Sequence, residues 1–115
     1  MNSAPHRDLK DRTKQFALAI VAMYNTLPKT TEAQVIGKQL LRSGTSVGAN
    51  TRAAFRGRSS REYVAKLGIV IEEADESGFW LELLSDSGIM PIQATGTLHK
   101  EADELVSIFT SLVKR

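Results

Sequence analysis

The chain has 115 residues, 42% of them hydrophobic and 24% charged, which suits one ordinary globular domain over residues 1–115. No apolar run approaches the ~20 residues that span a bilayer, and the N-terminal residues lack the apolar stretch of a secretory signal. Cysteine is absent, which excludes disulfides and thiolate metal sites. We therefore expect a cytoplasmic protein with no membrane contact.

Charge is distributed unevenly along the chain, although the formal net charge is only +2. Up to Lys66 there are twelve Lys and Arg against four Asp and Glu, whereas from Leu67 onward there are three against nine. Such asymmetry can mark a basic binding surface. It equally fits a basic helix that packs beside an acidic one, with salt bridges between them.

The first two helices are predicted from the spacing of apolar residues. After a flexible tail over residues 1–6, helix one is expected at about 7–27, where the spacing from Phe16 onward is 4, 3 and 4 residues. Helix two is expected at about 31–57, with Thr31 as N-cap and Gln34 completing a capping box. Its inward stripe keeps phase through glycine-rich sequence and consists of Leu40, Ser43, Val47, Asn50, Ala54 and Gly57.

The last two helices have the clearest periodicity. Helix three is expected at about 60–85 behind a Ser59–Glu62 capping box, and helix four at about 91–114 after Gly88, a candidate left-handed cap. Four helices, short loops and no two-residue alternation predict an all-α, antiparallel up-down-up-down four-helix bundle. The inward stripe of helix three has a heptad-like spacing and consists of Tyr63, Leu67, Val70, Ala74, Ser77, Leu81 and Leu84.

The sequence contains no catalytic or metal-binding pattern. Carboxylate metal sites in helix bundles use Glu-x-x-His motifs, and neither His6 nor His99 has a Glu three residues before it. A phosphate-cradling G-x-x-x-x-G-K-[ST] loop is absent, and a serine triad would have to use His99. We therefore expect no enzyme activity, no catalytic residue, no cofactor and no metal.

Basic residues cluster around the predicted turn between helices two and three, with Phe55 and Tyr63 nearby. Such residues can neutralise nucleic-acid phosphates, so the cluster is the candidate site for binding RNA or DNA. In the alternative interpretation, these side chains pair with the helix-three acids Glu72, Glu73 and Glu76, or with a neighbouring subunit. The candidate residues are Arg52, Arg56, Arg58, Arg61 and Lys66.

Two further features concern packing. Asn50 and Ser43 lie on the inward stripe of helix two, where a buried amide must find hydrogen-bond partners and can fix helix register. Helix three has a wider apolar face than one core needs, and such a face usually meets a partner. We expect Ile69, Trp80 and Leu83 to contact another copy of the chain or a different protein; the alternative is a thicker, irregular core.

Residues of helices two and three carry a family resemblance most strongly, and helix four agrees with it at Glu101, Ala102, Glu104, Leu105, Ile108 and Phe109. They resemble the bacterial four-helix-bundle proteins of the 23S rRNA intervening-sequence type, which implies an antiparallel bundle assembling into a ring-shaped homopentamer, with no established enzymatic activity. The accessory variability proteins of diversity-generating retroelements look similar, and they bind nucleic acid and a reverse transcriptase through a basic surface. The matching residues are RSGTSVGAN (Arg42–Asn50), Arg52, Arg58, Ser59, Tyr63, Lys66, Leu67, Ile69, Glu72, Glu73, Glu76 and Trp80–Leu84.

The chain departs from that family at one place. Related sequences often carry a pattern like Asn-Tyr-Arg-Glu-Ala, whereas here residues 50–54 read Asn-Thr-Arg-Ala-Ala. The missing acid leaves the local surface more basic. No role that depends on that glutamate carries over to this chain, and the retroelement association does not carry over from the sequence alone.

Overall fold

The computed structural model describes the backbone of residues 4–114 and the side chains of residues 8–114. Four α-helices follow one another: α1 (Ala4–Tyr24), α2 (Thr31–Phe55), α3 (Ser60–Asp86) and α4 (Ile92–Val113). The part of the chain that is described contains no strand. The predicted all-α, four-helix fold is therefore confirmed.

The boundaries of α1 differ from the predicted ones. The helix begins at Ala4, inside the stretch expected to be a flexible tail, and residues 1–3 of that stretch lie outside the described part of the chain. The helix ends at Tyr24, three residues before the predicted end. Backbone hydrogen bonds from Thr26 N to Met23 O (2.9 Å) and from Leu27 N to Tyr24 O (3.1 Å) close this end into a turn.

Polar side chains cap the starts of α2 and α3. Thr30, and not the predicted Thr31, is the N-cap of α2, because its backbone is extended and its hydroxyl accepts a hydrogen bond from the N–H three residues on, at 3.4 Å. Thr31 is already helical. Ser59 accepts from Glu62 N at 3.1 Å, as predicted. Gly88 follows α3 with a left-handed φ of 80°, as predicted.

Most residues of the predicted inward stripes lie in the core. α3 is central to the packing because it contacts α2 and α4 extensively, whereas α1 packs mainly on α2 and contacts α4 only sparingly. Burying one large aliphatic or aromatic side chain contributes roughly 1.5–3 kcal/mol of transfer free energy. The buried residues of α3 include six of the seven predicted ones: Leu67, Val70, Ala74, Ser77, Leu81 and Leu84.

The inward position predicted for Asn50 is wrong. Asn50 is half-buried, and the fully buried residue at this level of α2 is Thr51. The Thr51 hydroxyl satisfies itself within its own helix by donating to Val47 O at 2.7 Å, which permits burial. The Asn50 amide donates to Ser46 O at 2.9 Å, also within α2, so this bond does not link α2 to another helix.

A pair of serines provides a buried polar contact between α2 and α3. The hydroxyls of Ser43 and Ser77 are both fully buried and joined by a hydrogen bond of 2.9 Å. Each hydroxyl also lies within hydrogen-bonding distance of a carbonyl in its own helix, Leu40 O for Ser43 and Glu73 O for Ser77. This pair, and not Asn50, is therefore the buried polar group that joins two helices at a defined level.

α1 and α2 approach each other closely where α2 carries glycine. A Cβ on Gly48 would lie 3.3 Å from the carbonyl oxygen of Thr13, and a Cβ on Gly44 would lie 2.8 Å from Ile20 Cγ1. Each helical glycine costs up to ~1 kcal/mol of helix propensity, which close packing of the two backbones offsets. α2 is accordingly continuous through its glycine-rich segment, as the phase of its stripe predicts.

The edge between α1 and α4 is more open and is bridged by an ion-pair network. Arg12 Nε and Nη2 donate to the two carboxylate oxygens of Glu101 at 2.7 Å each, and Nη2 also donates to Glu104 Oε1 at 3.1 Å. The hydrogen bond to Glu101 is the main cause that raises the pKa of Arg12 above its ordinary value. A groove of about 550 Å³ lies along this edge, with Phe16 and Leu98 in its lining.

Candidate nucleic-acid interface

The five basic residues predicted to bind nucleic acid lie around the turn between α2 and α3. Arg52 is in the last turn of α2, Arg56 and Arg58 are in the connection, and Arg61 and Lys66 are in the first two turns of α3. Lys66 is half-buried and the four arginines are exposed. We call these five residues the turn surface.

Close packing shapes the turn that carries these cations. The rings of Phe55 and Tyr63 stack across it, with centroids 6.2 Å apart and an interplanar angle of 28°. Gly57 N donates to Ala54 O at 3.0 Å, and a Cβ on Gly57 would lie only 3.2 Å from Tyr63 N. The connection is therefore compact, and its arginines are attached to a closely packed segment of backbone.

Arg42 contacts two of the three acids that were the alternative partners of the turn surface, Glu73 and Glu76. Its Nη1 donates to Glu73 Oε2 at 2.9 Å, and its Nη2 donates to Glu76. The interpretation in which the turn arginines pair with these two glutamates is therefore wrong. Arg42 lies more than two helical turns before the cluster in sequence, and 31 residues separate it from Glu73. No local sequence pattern therefore predicts this ion pair.

Glu76 has a second partner on its own helix. Trp80 Nε1 donates to Glu76 Oε2 at 2.9 Å, and this bond, together with those from Arg42, lowers the pKa of the carboxyl below its ordinary value of 4.5. A carboxyl with a lowered pKa stabilises the fold above its unfolded pKa, and this contribution is lost as the pH falls through the folded value. The indole N–H of Trp80 is thus satisfied inside the chain.

The turn surface lacks such partners. Within residues 8–114, none of its five cations forms a hydrogen bond or an ion pair, whereas Arg12 and Arg42 each contact two glutamates. Two lysines that sequence reasoning missed, Lys10 and Lys14 of α1, line a recess together with Arg52 and Arg56. Their four-residue spacing is visible in the sequence, but only the packing of α1 on α2 places them beside the arginines.

The apolar face predicted on α3 is partly exposed. Ile69 is 37% exposed, and Trp80 and Leu83 are half-buried. The adjacent Phe79 is 51% exposed and packs edge-on against Trp80 with ring centroids 4.9 Å apart. These residues form what we call the α3 apolar face: Ile69, Phe79, Trp80 and Leu83.

The remaining titratable side chains concern metal binding and the contact between α3 and α4. No group of three or more His, Cys, Asp or Glu side chains there could hold a metal ion. His99 lies 2.7 Å from Glu82 and 3.6 Å from Asp103, a surface cluster that joins α3 to α4. The side chain of His6 lies outside the described part. Among the described helices, none has the length and apolar character needed to cross a membrane.

These features define a class: an all-α, four-helix protein with paired acids on α3 and α4 and, at the α2–α3 turn, a basic surface that has no acidic partner among residues 8–114. The chain belongs to the 23S rRNA-intervening sequence protein family, whose model matches residues 7–111. It is similar to a protein of unknown function from the S23 ribosomal protein family of Bacteroides thetaiotaomicron, solved at 1.70 Å resolution. The two are 34% identical with a TM-score of 0.89, over 96% of this chain and 98% of the other. Comparison with curated proteins gives no match.

Proposed function

We propose that this protein is a non-enzymatic, cytoplasmic homo-oligomer that binds RNA or DNA through the turn surface and needs no cofactor. The contrast between paired and unpaired cations carries the proposal. Arg12 and Arg42 are each held by two glutamates, whereas no cation of the turn surface has an acidic partner among residues 8–114. Two of the three α3 acids that were its alternative partners, Glu73 and Glu76, are held by Arg42.

Physical reasons favour a polyanion as the ligand of the turn surface. Exposed cations held near one another repel, and phosphate groups relieve that repulsion while releasing the counterions condensed on the nucleic acid. Contacts of this kind are independent of sequence and supply most of non-specific affinity. The family description refers to an intervening sequence of 23S rRNA, which is a reason to include RNA among the ligands tested.

Binding to a mixed-sequence single-stranded RNA or DNA is expected to weaken steeply as salt rises. If all five cations contact phosphates, each contributes about 0.7 to the slope of log affinity against log salt, so affinity falls roughly 100-fold between ~50 and ~200 mM salt. The double variant Arg58→Gln/Arg61→Gln is expected to reduce that slope by about 1.4. Fluorescence anisotropy of a labelled oligonucleotide measures both quantities.

The matched control for this experiment is Lys38→Gln/Lys100→Gln, which removes the same charge from exposed positions on α2 and α4 away from the turn. Its slope should equal that of the wild type. Absence of measurable binding by the wild type at ~50 mM salt would contradict the proposal. An equal loss of slope in both double variants would also contradict it, because net charge alone would then account for binding.

We also propose that the antiparallel bundle assembles into a ring-shaped homopentamer through the α3 apolar face. Half of the Phe79 side chain and more than a third of Ile69 are exposed beside Trp80. Exposed apolar patches of this kind on soluble proteins commonly mark interaction sites. A closed ring joins two different surfaces of each subunit, so the α3 apolar face would contact a different surface of the neighbouring copy.

Light scattering is expected to give a mass near 63 kDa, five times the 12.6 kDa of the chain. The variant Ile69→Asp/Phe79→Asp should shift the mass toward that of one chain, since it places unpaired charges in the contact. The control Ile92→Asp changes an even more exposed apolar residue outside this face and should leave the mass unchanged.

A protein partner is the second candidate function, favoured by the same exposed face. If the wild type scatters as a clean monomer, self-assembly is contradicted and the α3 apolar face remains available to a different protein. In that case the molecule would act as an adaptor, and Phe79→Asp should abolish the adaptor contact without changing the helical content of the free chain.

A further inference from the structure

A second group of cations lies beside the turn surface, in the groove between α1 and α2. Two adjoining recesses, of about 270 and 300 Å³, share Lys10, Lys14 and Arg52 in their linings. Arg56 lines the second recess as well. The recesses therefore form one groove, which continues from the turn surface along α1, and we call it the α1–α2 groove.

The charge in this groove is strongly one-sided. Four of its lining side chains are cations and Asp11 is the one acid. Lys10 and Lys14 are four residues apart on α1, and Arg56, the C-cap of α2, lies four residues after Arg52, so the cations of each pair repel one another. None of the four cations has an ion pair or hydrogen bond within residues 8–114. An anionic ligand would relieve this repulsion.

The shape of the groove suits a backbone and not a base. Small residues line the groove where α1 and α2 approach each other closely. At Gly48, an added Cβ would lie 3.3 Å from Thr13 O. Among residues 8–114, the lining contains no aromatic ring on which a base could stack and no amide that could pair with a base edge. The small residues of the lining are Ala17, Thr45, Gly48 and Ala49.

We propose that the α1–α2 groove binds successive phosphates of one nucleic-acid strand, with no readout of the bases. This rests on the proposed function and adds Lys10 and Lys14 to the residues that contact the ligand. Lys10 and Lys14 are four residues apart, about 6 Å along the axis of α1, so neighbouring phosphates of a strand lying in the groove can each meet a cation. The strand then passes from α1 to the turn surface through Arg52 and Arg56.

The test is the double variant Lys10→Gln/Lys14→Gln in the anisotropy assay with a mixed-sequence single-stranded oligonucleotide. Two lost phosphate contacts should lower the salt slope by about 1.4 and weaken binding roughly 20-fold at ~0.1 M salt. The variant Lys10→Arg/Lys14→Arg keeps both charges and should bind like the wild type. Oligothymidine should bind within a few fold of the mixed sequence. Circular dichroism of each variant verifies that α1 remains folded.

The outcomes separate this inference from the proposed function. If Lys10→Gln/Lys14→Gln binds like the wild type while Arg58→Gln/Arg61→Gln loses affinity, the groove is overturned and the turn surface stands. A loss in Lys38→Gln/Lys100→Gln as large as in the lysine pair of α1 also overturns the groove. Strong preference for one base overturns the absence of base readout. A wild type that binds neither RNA nor DNA at ~50 mM salt overturns both proposals.

Discussion

Replacing Leu81 with alanine is expected to lower the free energy of unfolding by about 2–5 kcal/mol. Leu81 is fully buried on α3, the helix that packs against both α2 and α4. Truncation there removes transfer free energy and leaves a cavity that three packed helices cannot close completely. Urea unfolding followed by helical circular dichroism measures the change, at one fixed protein concentration because association adds to stability.

The matched control is Leu18→Ala, the same truncation at a side chain that is 51% exposed on α1. We expect a change within about 0.5 kcal/mol, because little packing is lost at an exposed site. A loss below about 1 kcal/mol for Leu81→Ala, or equal losses for the two variants, would contradict the central place of α3 in the core.

Replacing Gly44 with alanine is expected to destabilise the protein by about 1–2 kcal/mol, although alanine is the better helix former by about 1 kcal/mol. The new Cβ would lie 2.8 Å from Ile20 Cγ1, 3.0 Å from Cγ2 and 3.2 Å from Cβ. Ile20 is fully buried and β-branched, so it cannot rotate away and α1 would have to shift.

The same substitution at a different position, Gly68→Ala, is expected to have the opposite effect on the free energy of unfolding. No atom lies within 4 Å of a Cβ added there, so the propensity gain is unopposed and should stabilise α3 by roughly 0.5–1 kcal/mol. Thermal or urea unfolding of the two alanine variants, side by side, distinguishes the two effects. If both substitutions stabilise, α1 and α2 do not approach as closely as described at Gly44.

The elements that could be predicted were those specified by local sequence. The heptad-like spacing of α3 specifies its inward stripe. The Ser59 cap is specified by residues close to it in sequence. Thr30 and Thr31 carry the same hydroxyl side by side, so local sequence does not distinguish which caps α2. Likewise Asn50 and Thr51 are both polar and lie three and four residues after Val47, and both spacings are compatible with an inward stripe.

The residues of the candidate site likewise fall into those that local sequence brings together and those that only the packing of helices brings together. The turn surface lies within fifteen residues of sequence, so its cations could be recognised together before the fold was known. Lys10 and Lys14 join Arg52 and Arg56 only through the packing of α1 on α2. The pairing of Arg42 with Glu73 and Glu76 likewise spans more than thirty residues, and it decides which cations remain unpaired.

The open edge between α1 and α4 makes α1 the most weakly attached helix of the bundle. Its attachment depends on α2 and on the Arg12 bridge, so α1 is the natural unit for sub-global opening, in which one cooperative segment detaches before the rest unfolds. Lys10 and Lys14 belong to that segment. A strand bound in the α1–α2 groove would stabilise the attached state of α1 by mass action. Because the coupling is reciprocal, detachment of α1 would weaken binding of the strand by the same free energy.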